Sequence, residues 1–89
     1  MEGTGSVKVP DGKLVRVHAT YDDRIQSIRI TGDFFLEPPS AREDLEAALK
    51  GKPVDASEAD LRGAIEAVEA DLIGFDASDL VTATLEAVR

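Results

Sequence analysis

The sequence contains no cysteine and no tryptophan, and it has one histidine (His18), one tyrosine and three phenylalanines in 89 residues. Without cysteine there can be no disulfide framework, no thiolate zinc site and no thiol nucleophile. That absence fits a reducing, cytoplasmic setting. No stretch approaches the roughly 20 apolar residues that span a bilayer, and Met1–Ser6 carries Glu2 where an export signal would carry positive charge. No membrane association is expected. A chain of this size buries only roughly 60–65% of the surface its unfolded form exposes. Association with another chain is therefore the expected support for a thin core.

Basic residues are also scarce. Ten Lys/Arg stand against 18 Asp/Glu, a formal charge of −8. The imbalance is uneven: residues 1–32 hold five bases and four acids, and residues 33–89 hold five bases and fourteen acids. An acidic half of this kind repels phosphate backbones and argues against a nucleic-acid partner. The surplus of carboxylates also suits a high-salt cytoplasm, where added acids help keep protein soluble.

The first third reads as sheet and the remainder as helix, an α+β pattern. Residues 1–6 are expected to be a flexible tail and 7–89 a single domain. Ser6–Val9 reads as a short strand ended by the turn Pro10-Asp11-Gly12. Leu14–Tyr21 alternates, with Val15, Val17, Ala19 and Tyr21 on one face and Leu14, Arg16, His18 and Thr20 on a wet or partner-facing side. Asp22-Asp23 turns the chain into Arg24–Thr31, where Ile28 and Ile30 share a face and Ile25 is out of phase. Irregular pairing near the hairpin, or a partly exposed Ile25, is expected. Gly32 marks a bulge or a backbone conformation that side chains disfavour, and Pro38-Pro39 stops further pairing.

Three helices should follow. Ser40 with Glu43 forms a capping-box pattern opening a helix that buries Leu45, Ala48 and Leu49, closed by Gly51 and Pro53. Ser57 opens a second, with Leu61, Ala64, Ile65, Val68 and Leu72 at helical spacing up to Gly74. Phe75 is placed to pack back on its last turn. Asp76 or Ser78 caps a third, carrying Leu80, Val81, Thr84, Leu85 and Val88.

No catalytic motif is complete. Gly3 and Gly5 begin a dinucleotide fingerprint whose third glycine is replaced by Lys8. Gly12-Lys13 is followed by Leu14 where a phosphate loop needs Ser or Thr. Asp55–Glu66 has the length of a calcium loop but holds Ala59 and Asp60 where an oxygen ligand and a glycine belong. His18 shares a face with Arg16 and Thr20 and has no evident orienting partner.

The segment Gly32-Asp33-Phe34-Phe35 stands apart. Adjacent residues of an extended chain point to opposite faces, so one core does not readily take both rings. One Phe should enter the core, and the other either covers the core edge or anchors a partner. Asp33 either binds nearby backbone amides and fixes the turn or meets a partner directly. Lys8 and Lys13 flank the Pro-Asp-Gly turn, as solvated residues or as a pair approaching a phosphate or an acidic partner.

Four stretches in order, "KVPDGKLVRV" (Lys8 to Val17), "IRITGDFF" (Ile28 to Phe35), "LEAALKGKPVD" (Leu45 to Asp55) and "LIGFDASDLVTATLEAV" (Leu72 to Val88), resemble the C-terminal accessory domain of lipoate–protein ligases. In archaea that domain occurs as a small separate protein. The resemblance implies a small antiparallel sheet of about three strands followed by three helices on one face, similar to sulfur-trafficking scaffold proteins. It further implies a non-catalytic subunit that works with a catalytic subunit in the ATP-dependent activation of lipoate to lipoyl-AMP, before transfer to an acceptor lysine. Lipoate, ATP and magnesium are then expected in the partner subunit, and lipoyl-acceptor domains are indirect partners. On this reading Asp33, Phe34 and Phe35 form the interface, Gly12 and Gly32 shape turns, and Lys8 and Lys13 lie toward the nucleotide. The alternative is a free-standing binding scaffold of the same fold serving another complex.

Overall fold

The computed structural model describes residues 1–10 and 13–89; Gly12 and the centre of its turn lie outside the described residues. Three antiparallel strands come first: β1 (Glu2–Lys8), β2 (Leu14–Tyr21) and β3 (Ile25–Gly32), in the order β1-β2-β3. A short β4 (Phe35–Glu37) follows, then α1 (Ala41–Leu49), α2 (Glu58–Glu66), β5 (Asp71–Ile73) and α3 (Ala77–Ala87). β4 and β5 pair antiparallel as a separate ribbon. The architecture is α+β, as the sheet-then-helix pattern predicts.

Alternation in β2 produces the expected inner face, with Val15, Val17 and Ala19 fully buried beside Ile30 of β3. α3 lies across β1 and β2, α1 packs beside β3, and α2 fills the space between the two helices. Leu45, Leu49, Leu61, Ile65, Leu80 and Val81 complete the core. Thr84, buried on α3, donates its hydroxyl to the Leu80 carbonyl at 2.8 Å, so the core carries no unpaired hydroxyl there.

The hairpin irregularity is a bulge. Tyr21 faces Ile25 whereas Thr20 faces Ser27, leaving Gln26 as the extra residue. That shift of one residue turns Ile25 inward, where it is buried. The Ile25 backbone also bonds Lys52 O at 2.9 Å and Gly51 N at 2.8 Å, which ties the end of α1 to the start of β3.

Residues 1–6 are not a flexible tail. β1 begins at Glu2 and pairs with β2 along its whole length. The small residues that suggested mobility are there for packing. A β-carbon on Gly3 would stand 1.8 Å from the Ala87 carbonyl oxygen, and one on Gly5 would stand 2.0 Å from that of Ala83. Glycine lets the backbone of α3 sit directly on β1. The edges are partly closed by carboxylates: Glu86 accepts from the Ser6 N–H at 3.4 Å and Glu46 from the Ile30 N–H at 2.8 Å.

Two helix expectations need correction. Ser40 is already helical in backbone conformation and its side chain caps nothing, so the Ser40/Glu43 capping box does not form; α1 is entered through a turn in which Ala41 N bonds Pro38 O at 2.9 Å. α2 stops at Glu66, and Leu72 belongs to β5, opposite Leu36. Cross-strand pairing with β4 outweighs the helical spacing of that leucine. The Ser57 cap holds, accepting from the Asp60 N–H at 3.1 Å, and Asp76 with Asp79 forms the capping box of α3.

Candidate partner-docking site

The Gly-Asp-Phe-Phe junction joins the three-stranded sheet to the ribbon. Gly32 has φ +151°, and a β-carbon there would lie 2.0 Å from the Leu14 carbonyl oxygen and 2.8 Å from the Phe34 ring. Only glycine fits both the backbone and the space. Asp33 grips the start of β2: its carboxylate accepts the Leu14 N–H, and its own N–H donates to Leu14 O at 3.2 Å. The carboxylate thus holds one backbone amide on the neighbouring strand and ties the junction to β2.

With the junction fixed, the two rings part. Phe34 is 5% exposed and packs on Phe75 with ring centroids 4.4 Å apart at 50°. Arg42 lies over the Phe34 ring at 5.9 Å. Phe35 points the other way and is 64% exposed. Its partner across the ribbon is Ile73, 46% exposed, so the two side chains share one outward face. Lys13 places its ammonium 5.6 Å from the Phe35 centroid, in reach of a cation–π contact, and its stem runs past Gly74, where a β-carbon would meet Lys13 Cγ at 3.4 Å. Phe35, Ile73 and Lys13 thus form an exposed apolar patch with a cation at its edge. Such a rigid aromatic surface suits a protein interface.

Lys13 and Lys8 are directed apart. Lys13 turns to the ribbon, whereas alternation along β1 puts Lys8 on the outer face of the sheet. Ile73 is not legible in the sequence, where helical spacing carries the second helix up to Gly74; its signal is the short run Asp71-Leu72-Ile73 ending at that glycine.

One constellation has the order of a catalytic relay. Thr4 Oγ1 lies 3.1 Å from His18 Nδ1, and His18 Nε2 lies 3.5 Å from Glu2 Oε1. All three are exposed on a flat strand face. The adjacent hollow of about 300 Å³ is lined by Glu2, His18, Thr20, Ser27, Ile28 and Arg29 and does not reach Thr4. The cluster therefore lacks the enclosed space beside a nucleophile that acyl transfer needs. A second cleft, about 410 Å³ between α2 and β5, is lined by Ile65, Val68, Leu72 and Phe75, with the carboxylates of Glu66 and Asp76 in its walls. Among the described residues no cluster of His, Asp or Glu could hold a metal ion, and no helix is long and apolar enough to cross a membrane.

No family model and no curated protein matches the chain. A solved structure does match, with TM-score 0.79 and 26% identity over 94% of each chain. It comes from a study of an archaeal lipoylation system, a bi-partite lipoate protein ligase and its E2 lipoyl domain from Thermoplasma acidophilum. Over nearly its whole length, the chain is similar to a component of that lipoylation system.

Proposed function

We propose that this chain is the small, non-catalytic subunit of a two-chain lipoate–protein ligase. It would dock on a catalytic subunit and favour the conformation in which that subunit activates lipoate with ATP to lipoyl-AMP, before transfer to an acceptor lysine. The observation that carries the reading is the end-to-end match to a component of an archaeal lipoylation system, a bi-partite lipoate protein ligase and its E2 lipoyl domain. Two features of the chain support it. The hollow beside its hydroxyl–imidazole–carboxylate cluster does not reach Thr4, which fits a chain that contributes surfaces. Its exposed Phe35–Ile73 pair gives a docking subunit the apolar anchor it needs.

In this mechanism Gly32 and Asp33 hold Phe35 outward on a rigid ribbon, so little conformational entropy is lost on docking. The partner subunit holds lipoate, ATP and magnesium. The small subunit acts by differential affinity, binding the adenylation-competent state of its partner more tightly than the open one.

A second role exists in the same system, that of the lipoyl domain which receives the group. The two are separated by intact mass. After incubation with a complete ligase, lipoate and ATP, a subunit of the ligase keeps its mass while a lipoyl domain gains one lipoyl group. Modification of Lys13, or of any other lysine, to high yield would overturn the subunit reading.

A further inference from the structure

Among the described residues no helix covers the outer face of the β1-β2-β3 sheet, because α1 and α3 pack on the side where Val15, Val17, Ala19 and Ile30 are buried. Alternation puts Lys8, Arg16, His18 and Arg29 on this open face, with one carboxylate, Glu2. Three Lys/Arg against one acid reverse the balance of a chain that holds 18 acids and 10 Lys/Arg.

The register sets these cations on a diagonal. Lys8 pairs with Leu14, Ser6 with Arg16, Arg16 in turn with Thr31, and His18 with Arg29. Lys8 on β1, Arg16 on β2 and Arg29 on β3 therefore each sit one same-face position further along the sheet than the last. Diagonal neighbours of this kind stand roughly 7–8 Å apart, within reach of long side chains. All three are exposed, and among the described residues none has a carboxylate at ion-pair distance. Glu2 lies off the stripe and is engaged by His18 at 3.5 Å. Hydroxyls line the same path: Ser6 and Thr31 flank Arg16 from either side, and the Ser6 hydroxyl meets Arg16 Nε at 3.5 Å.

Like charges on neighbouring positions of one face destabilise a sheet, and an anion supplied from outside relieves them. Guanidinium groups fork onto phosphate oxygens in pairs, with hydroxyls as further donors. A single phosphate meets one step of the stripe, whereas linked phosphates meet several at once. The face presents no aromatic ring on which a base stacks, so it is suited to phosphates and not to a nucleoside. A short ligand fits best, because a long phosphate backbone would run on to the acidic remainder of the chain.

We propose that the outer sheet face, centred on Arg16 and Arg29, binds a short linear polyphosphate, and that in the two-chain ligase this is the β,γ-pyrophosphate of ATP. The second half rests on the ligase reading above. In the activation step a carboxylate oxygen of lipoate bonds to the α-phosphorus of ATP. The bond from that phosphorus to the α,β-bridging oxygen breaks, and pyrophosphate departs with the bridging oxygen and its electron pair. Negative charge grows on the departing group, where cations held on a rigid sheet stabilise it. Transfer from lipoyl-AMP releases AMP and no pyrophosphate, so the stripe serves activation and has no task in transfer. The Lys8 end of the stripe lies opposite Leu14, whose N–H is held by Asp33 of the junction that carries Phe35. A partner seated on the ribbon therefore adjoins the start of the stripe.

The first arm of the test is direct. The full chain is titrated with pyrophosphate, tripolyphosphate, orthophosphate and ATP, followed by calorimetry and by amide shifts in two-dimensional NMR. Pyrophosphate binds about tenfold or more tightly than orthophosphate, the gain from a second charge-assisted contact. The shifts centre on Arg16 and Arg29, and ATP binds no more tightly than tripolyphosphate. Arg16→Gln with Arg29→Gln weakens pyrophosphate binding about tenfold or more, while Arg16→Lys with Arg29→Lys keeps most of it. Thermal melting guards against a folding defect, since removing adjacent like charges should not lower the melting temperature. The second arm uses the reconstituted two-chain enzyme. There the Gln pair lowers kcat for lipoyl-AMP formation from lipoate and ATP about tenfold or more, and transfer from preformed lipoyl-AMP keeps the wild-type rate. Absent pyrophosphate binding, equal binding of orthophosphate, or tighter binding of a single-stranded oligonucleotide overturns the site. Pyrophosphate binding with an unchanged rate of activation overturns its assignment to the leaving group. If the wild-type chain fails to support lipoyl-AMP formation at all, the ligase reading falls, and the titration still decides whether the stripe binds polyphosphate.

Discussion

Gly5→Ala gives the sharpest test of how the helices sit on the sheet. In a strand interior, replacing glycine by alanine normally stabilises, by roughly 0.5–1 kcal/mol, because the unfolded chain loses freedom. Here the sign should reverse. The new methyl carbon would begin 2.0 Å from the Ala83 carbonyl oxygen and 2.9 Å from both Ala87 N and Glu86 Cβ. Two of those atoms are backbone and cannot rotate away, so α3 must retreat from β1 by about 1 Å or more before the contact becomes tolerable. α3 carries Leu80, Val81, Thr84 and Leu85 into the core, and a gap of that width forfeits about a quarter to a half of their dispersion contacts on that side. Overpacking of this kind costs about 1–3 kcal/mol, and the rigid neighbours put Gly5→Ala near the upper end. For a domain whose whole stability is roughly 4–13 kcal/mol, a loss of about 2–3 kcal/mol lowers the melting temperature by about 10–20 °C. Gly63→Ala is the control. Gly63 is exposed on α2 with no atom within 4 Å of a β-carbon, and alanine there should stabilise by about 0.5–1 kcal/mol. Urea and thermal unfolding followed by circular dichroism measure both. A Gly5→Ala variant as stable as the wild type would refute the seam between β1 and α3.

The two adjacent phenylalanines should separate stability from binding: Phe34→Ala costs about 3–5 kcal/mol in urea unfolding, whereas Phe35→Ala leaves unfolding nearly unchanged and weakens association with the catalytic subunit by more than about 1 kcal/mol in calorimetry. Asp76→Ala removes one half of the α3 capping box and should cost about 1 kcal/mol in the same unfolding assay. Because the acidic surplus is concentrated in residues 33–89, added KCl should raise the melting temperature as it screens that repulsion; a flat or falling trend would remove the high-salt interpretation.

Much of the fold was legible because period and capping agreed locally. Val15, Val17 and Ala19 gave β2 its inner face, Ser57 and Asp76 marked helix starts, and the out-of-phase Ile25 announced its bulge. What could not be read depends on contacts distant in sequence. Gly3 and Gly5 look like a tail until the backbone of α3, some 80 positions away, is placed against them. Leu72 has helical spacing with Ile65 and Val68, yet Leu36 claims it for a ribbon. Ser40 and Glu43 match a capping pattern, but the preceding prolines bring the chain into α1 already helical. Of the candidate site, the oddity of Phe34-Phe35 was plain in the sequence. The choice between the rings was not, because it depends on Asp33 meeting Leu14 across the sheet.

The central claim is that this chain enables activation without performing it, and lipoyl-AMP formation measures that most directly. The catalytic subunit is incubated with lipoate and ATP, alone and with increasing amounts of this chain. The account predicts little lipoyl-AMP from the catalytic subunit alone and a saturable rise that levels off at one small chain per catalytic chain, displaced to higher concentration by Phe35→Ala. Equal lipoyl-AMP with and without this chain would contradict it.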